Sequence, residues 1–139
     1  MFIDASAVVA ILNREPGSDE LAKRLAASDK PPLFSPLARY EAVVSLARSR
    51  SGKHKAPDSD QFEAAKAAVD LFFQEARAKS VMISDTLGAG ALAAAQSYGK
   101  AVGHEADLNF GDCFSYACAK GYRVALLYKG NDFSKTDLA

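Results

Sequence analysis

Phe2-Ile3-Asp4-Ala5-Ser6-Ala7-Val8-Val9-Ala10-Ile11-Leu12 opens the chain, and the rest is read outward from it. Two bulky apolar residues, an acid, and then a segment apolar nearly all round describe a short buried strand over Met1–Asp4. The strand passes straight into a buried helix over Ser6–Leu12. The acid falls at the junction, at the end of the strand.

The pattern repeats downstream. Pro16-Gly17-Ser18 breaks the first helix, and Ser18 is placed to cap a second over Asp19–Ala27, with Leu21 and Leu25 at i, i+4. Pro31-Pro32 forces an extended entry into Leu33-Phe34-Ser35. Ser35-Pro36 reads as N-cap and first residue of a third helix to Arg50. The polar stretch Ser51–Asp60 reads as an exposed hairpin. Asp58 or Ser59 then caps a fourth helix to Ala78, striped with Val69, Leu71, Phe72 and Phe73. Val81-Met82-Ile83 reads as a strand, and Ser84 or Asp85 starts an Ala-rich helix over Thr86–Tyr98. A loop over Gly99–Leu108 leads to Asn109, the expected N-cap of a helix over Gly111–Lys120 that Gly121 terminates. Val124–Tyr128 is the last strand, and the tail Gly130–Ala139 has room for a short edge strand. Strands that alternate with helices predict an α/β fold: a doubly wound parallel sheet of four to five strands with helices on both faces. Residues 1–139 suit one domain.

Composition narrows the function classes. The chain has 17 Lys+Arg and 17 Asp+Glu, so it cannot coat nucleic acid through bulk charge, and any such partner must be contacted locally. Hydrophobic residues make up 49%, which excludes a disordered chain. No apolar run is long enough to span a membrane, and no secretory leader is evident. Cys113 and Cys118, five apart on one helix, point to different faces and read as buried thiols in a reducing cytoplasm. His54 and His104 lack the spacing of a zinc pair.

Four acids stand where the strands are expected to end: Asp4, Glu41, Asp112 and Asp132. Right-handed crossovers bring every loop that follows a strand to one edge of a parallel sheet, where open α/β folds bind ligands. Carboxylates gathered there repel one another, and a hard divalent cation relieves the repulsion. A Mg²⁺ or Mn²⁺ site for phosphate chemistry is the expectation. Taken singly, Asp4 also suits a helix cap, Asp112 a capping box with Asn109, Asp132 a turn and Glu41 a solvated helix face. Ser6 and Asn131 are candidates to orient the acids, and Asp107 reads as a loop acid. Arg48, Arg50, Lys53 and Lys55 form a basic tip, either solvated or in contact with an RNA backbone.

Together these residues resemble a PIN domain, and most closely the toxin ribonucleases of VapBC-type toxin–antitoxin pairs. The likeness rests on Phe2-Ile3-Asp4-Ala5-Ser6-Ala7, on Glu41 after Pro36-Leu37-Ala38-Arg39-Tyr40, on Asn109-Phe110-Gly111-Asp112-Cys113, and on Leu126-Leu127-Tyr128-Lys129-Gly130-Asn131-Asp132-Phe133. It covers essentially the whole chain, with the motifs in order. It implies a metal-dependent endoribonuclease with Asp4 and Asp112 as main Mg²⁺ or Mn²⁺ ligands, completed by Glu41 and Asp132. It also implies an RNA substrate, a cognate antitoxin and a homodimer. The apolar first and third helices are a further reason to expect a dimer. Many relatives carry two acids in the last motif; here the earlier position is Gly130. That loss favours an alternative, a PIN scaffold that binds without cutting. A phospho-receiver domain lacks its acid pair here, and an aspartyl-phosphate phosphatase lacks a second Asp at Ser6.

Overall fold

The computed structural model describes residues 1–138. Strand β1 (Phe2–Ile3) leads into helices α1 (Ala5–Leu12) and α2 (Ser18–Ala26), and β2 (Leu33–Phe34) into α3 (Pro36–Arg50) and α4 (Ser59–Glu75). Strand β3 (Lys79–Ser80) leads into α5 (Asp85–Tyr98) and α6 (Phe110–Tyr122), and β4 (Leu126–Leu127) precedes a 3₁₀ turn over Asp132–Lys135. The four strands are parallel, in the order β3-β2-β1-β4. This is the doubly wound sheet with helices on both faces that the alternation predicts.

The order of the strands explains the two layers. The chain steps outward from β1 to β2 to β3, then returns across the sheet to lay β4 on the other side of β1. Right-handed crossovers of opposite travel fall on opposite faces. Phe2 pairs with Leu126 and Ile3 with Leu127, and side chains alternate along a strand. Phe2 and Leu126 therefore pack beneath α5 and α6, with Leu87, Ala91, Ala117 and Cys118. Ile3 and Leu127 pack beneath α1, α3 and α4, with Val8, Leu46, Val69 and Phe73. The reversal of direction leaves a crevice between β1 and β4 at their carboxyl ends.

Several local expectations are corrected. The third strand is Lys79–Ser80, not Val81–Ile83. Val81 still donates to the Phe34 carbonyl, but β2 ends there and α3 begins at Pro36, so the ladder stops for want of a partner. Val81 and Ile83 pack on the α5–α6 core instead. The N-cap of α2 is Gly17, left-handed at φ 85°, rather than Ser18, whose side chain is buried. Helix α4 stops at Glu75, short of Ala78. Gly121 does not terminate α6; the left-handed residue that does is Arg123. Gly121 serves packing, since a Cβ there would collide with Leu87 Cδ2 on α5. The tail turns as a 3₁₀ segment with no added strand over its described residues; Ala139 lies outside them.

The expected apolar surplus of the early helices is largely consumed by their own core, where Ala7, Val8, Ala10, Leu21, Ala42, Val43 and Leu46 are buried. The two cysteines are free and buried, and burial pushes both thiols up, Cys118 to about 11.

Candidate active site

Asp4, Glu41 and Asp132 follow β1, β2 and β4, whereas Asp112 comes from the start of α6, which follows α5 and a loop rather than a strand. Asp4 follows β1 and is the N-cap of α1. Its Oδ2 accepts from the Ser6 amide at 2.8 Å and from Ser6 Oγ at 2.5 Å. Ser6 Oγ in turn accepts from the Lys129 amide at 3.0 Å, beyond the end of β4. One hydroxyl therefore orients Asp4 and fastens the end of β1 to that of its neighbour β4. The cap that competed with a functional reading of Asp4 is real, and it uses only one of the two carboxylate oxygens.

Asp112 repeats that economy at the start of α6. Its Oδ2 accepts from the Asn109 amide at 2.9 Å, while Asn109 Oδ1 accepts from the Asp112 amide at 3.1 Å. This is the reciprocal capping box expected from the spacing. Among the described residues, Oδ1 of Asp4 and Oδ1 of Asp112 take no hydrogen bond. Glu41 stands one and a half turns into α3, and its carboxylate lies directly over Gly111 of α6: a Cβ there would overlap both carboxylate oxygens. Asp132 begins the 3₁₀ turn and is exposed, anchored by its buried neighbour Phe133, whose ring meets Tyr128 edge-on at 4.9 Å.

The four acids line one cleft of about 310 Å³, with Ser6, Ser45, Asn109, Glu15 and Lys129. Its electrostatics follow from the crowding. Burial, and then the charges of Asp4 and Asp112, push the Glu41 carboxyl up to about 7. Burial pushes Asp112 up to about 6, with Asp4, Asp132 and Asp107 adding to the rise, while its bond from the Asn109 amide opposes it. A carboxylate cluster that holds protons near neutral pH is a cluster short of positive charge.

Hard oxygen donors of this kind suit a small divalent cation, and Asp4 and Asp112 each present an uncommitted oxygen to hold one. Among the described residues, no three His, Cys, Asp or Glu side chains stand close enough together to enclose an ion. The donors share a cleft without converging on a point.

Other candidates fall elsewhere. Asn131 does not line the cleft; its carbonyl accepts from Ser134. Asp107 is exposed, 3.9 Å from Lys100. His54 is exposed, and His104 Nδ1 accepts from the Ala106 amide. Arg50 leaves the basic tip to bind Asn13 and the Leu12 carbonyl. Sequence reasoning missed Glu15, Ser45 and Lys129 as lining residues. Ser45 carried a signal, one turn beyond Glu41, and Lys129 another, just past the last strand. Glu15 carried none. Gly130, at φ 103°, holds a left-handed conformation that an acidic side chain adopts poorly, which gives its place in the last motif a backbone reason.

The profile of the PIN domain family matches residues 1–138. A VapC ribonuclease of Rhizobium meliloti (strain 1021) is 51% identical over 139 residues, covering 99% of this chain and 98% of that protein. The VapC ribonuclease of Mycolicibacterium smegmatis is 37% identical over 139 residues, covering 100% and 98%. Ribonuclease VapC28 of Mycobacterium tuberculosis is 35% identical over 136 residues, covering 98% and 93%. Among solved structures, M. tuberculosis VapC20, described as a sarcin-ricin loop cleaving toxin, superposes with a TM-score of 0.65 at 22% identity, over 96% of this chain and 92% of that one. That likeness concerns the fold. With sequence similarity running from end to end, the chain belongs to the PIN domain family, among its VapC ribonucleases.

Proposed function

We propose that this chain is a metal-dependent endoribonuclease and the toxin of a toxin–antitoxin pair, acting in the cytoplasm as one PIN unit over residues 1–139. The observation that carries the reading is that four carboxylates line one cleft at the switch between β1 and β4, with burial and mutual repulsion raising the carboxyls of Glu41 and Asp112 toward neutral pH. Asp4 and Asp112 are assigned as the main ligands of Mg²⁺ or Mn²⁺, with Glu41 and Asp132 completing the set directly or through water. When bound, such an ion acidifies water and offsets the charge that builds on a phosphate.

The chain's own groups do the positioning. Ser6 Oγ fixes the rotamer of Asp4. The Asn109 amide fixes Asp112. Glu41, half protonated near pH 7 in the ion-free chain, can hold or release a proton at its carboxylate oxygens. No Ser, Cys or His is required as a nucleophile.

The same four acids would receive a guanidinium from an antitoxin, a planar cation that pairs well with carboxylates. A second copy of the chain is assigned to the α5–α6 face. There Leu92 and Phe110 are 74% and 68% exposed around an apolar cleft of about 700 Å³. No helix is long and apolar enough to cross a membrane among the described residues.

A binding scaffold without activity is the second reading, and Gly130 favours it. Assay of RNA cleavage separates the two. The wild-type chain should cut RNA with Mg²⁺ or Mn²⁺, stop in EDTA, and be silenced by Asp4→Asn or Asp112→Asn. Expressed alone it should arrest growth, and an antitoxin should relieve the arrest. Cleavage that survives EDTA rules out the metal; a harmless wild-type chain that cuts nothing with metal present leaves the scaffold.

A further inference from the structure

Along α3, on a face next to the one that lines the acidic cleft, lies a second groove of about 600 Å³, closed by the Gly52–Pro57 segment and the start of α4. Its walls carry two exposed rings, Tyr40 at 64% and Phe62 at 37%, and the cations Arg48 and Lys55. No acid lines it. We propose that this groove is a subsite for single-stranded RNA, in which a base stacks on Tyr40 and Phe62 while Arg48 and Lys55 hold the adjoining phosphates. The proposal rests on the nuclease reading above and extends it to how the substrate is held.

Helix α3 is the shared wall. Glu41 and Ser45, one turn apart, face the acids; Tyr40, Val44 and Arg48, also one turn apart, face the groove. The two rows are offset by a single residue, about 100° around the helix. An RNA strand with its scissile phosphate at Glu41 meets Tyr40 first and Arg48 about 12 Å farther along the axis.

The need for such a subsite follows from charge. Four carboxylates repel an incoming phosphate backbone, and the chain as a whole is neutral. Affinity must come from cations placed locally, with stacking that tolerates any sequence.

The cations of the groove are available for that work. Arg39, Lys66, Lys100, Lys120 and Lys135 are paired with acids, and Arg50 is tied to Leu12 and Asn13. Arg48 and Lys55 have no acidic partner among the described residues. Their backbones are nonetheless fixed: Ser51, itself buried, places its Oγ 3.0 Å from the Arg48 carbonyl and 2.7 Å from that of Lys55.

The test is fluorescence anisotropy of a short fluorescein-labelled single-stranded RNA with the full chain in EDTA, over a range of salt. Tyr40→Ala should weaken binding roughly five- to a hundredfold, and Tyr40→Phe, which keeps the ring, should not. Arg48→Ala with Lys55→Ala should flatten the slope of log affinity against log salt by about 1.4, the contribution of two phosphates. Tyr40→Trp places the only Trp in the chain at the proposed stack, and RNA should quench its emission. Tyr40→Ala binding within twofold of wild type, an unchanged salt slope in the double variant, or an unquenched Trp overturns the subsite. If those variants bind RNA normally while wild type cleaves, the subsite falls and the nuclease reading stands. If wild type neither binds nor cleaves RNA, both fall. If Tyr40→Ala keeps its RNA affinity but no longer co-purifies with a co-expressed antitoxin, the groove belongs to a protein and the RNA assignment is overturned.

Discussion

Glu41 shows at the residue scale how the fold stores charge. Its carboxyl sits at about 7 because burial and two neighbouring aspartates oppose ionisation, against an ordinary value of 4.5. Between those values the folded chain holds a proton that the unfolded chain has released. The contribution of this group to stability is therefore complete below about pH 4.5 and is lost as pH rises toward 7. Asp112, raised from 3.8 to about 6, acts in the same sense over a lower window. After allowance for partial exposure, the loss from Glu41 is on the order of 1–2 kcal/mol. Without metal, Glu41→Gln should melt a few degrees above wild type at neutral pH and show a flatter pH dependence. The same variant should cut RNA poorly. Thermal melts across the pH range check this, and a variant that melts lower at neutral pH would show that Glu41 is not under repulsion.

Helix α6 concentrates several demands into its first turn. Asn109 and Asp112 close the capping box, which holds Asp112 in place, and Gly111 between them leaves room for the Glu41 carboxylate. A Gly within a helix ordinarily costs about 1 kcal/mol relative to Ala, and Gly111 is buried. Here the missing methyl is what lets α3 and α6 bring their acids together. Gly111→Ala meets only the far end of a flexible side chain, so Glu41 can swing away and the helix gains propensity. The expected outcome is a melting temperature equal to or above wild type, with RNA cleavage at least about tenfold lower, since a small displacement of a reacting group is that costly. Cleavage that survives the added methyl would mean that the seat of Glu41 is not required. At this scale the elements were mostly legible: Ser35, Asp58, Ser84 and Asn109 cap their helices through side-chain bonds, and caps are written within three or four residues. Gly121 and Val81–Ile83 were misread because their roles depend on what lies across from them, α5 in one case and the end of β2 in the other.

For the whole molecule, the return of the chain from β3 to β4 sets the site, because it opens the crevice beside β1 into which the acids project. The same return leaves the outer face of α5 and α6 uncovered. Leu92 and Phe110 expose large apolar groups there, a patch of the kind that commonly marks an interaction surface. Light scattering at micromolar concentration should give twice the 14.8 kDa chain mass, and Leu92→Glu should return a folded monomer. A wild-type chain that stays monomeric at that concentration would remove the dimer.

The sequence by itself determined the order of strands and helices, the parallel α/β class, the placing of Asp4, Glu41 and Asp132 after strands, and that of Asp112 at a helix start, which follows α5 rather than a strand. These are short-range matters: apolar periodicity, proline and glycine breaks, and capping residues act within one or two turns. Only the tertiary structure decided that Glu41 rests on Gly111, that Ser6 links Asp4 to Lys129, that Glu15 and Lys129 border the cleft while Asn131 does not, and that Arg50 is spent on Leu12 and Asn13 while Arg48 is not. Each of those facts joins segments far apart in the chain. Their proximity is fixed by strand order and helix packing, and the raised carboxyl pKa values follow from that proximity and from the water it excludes.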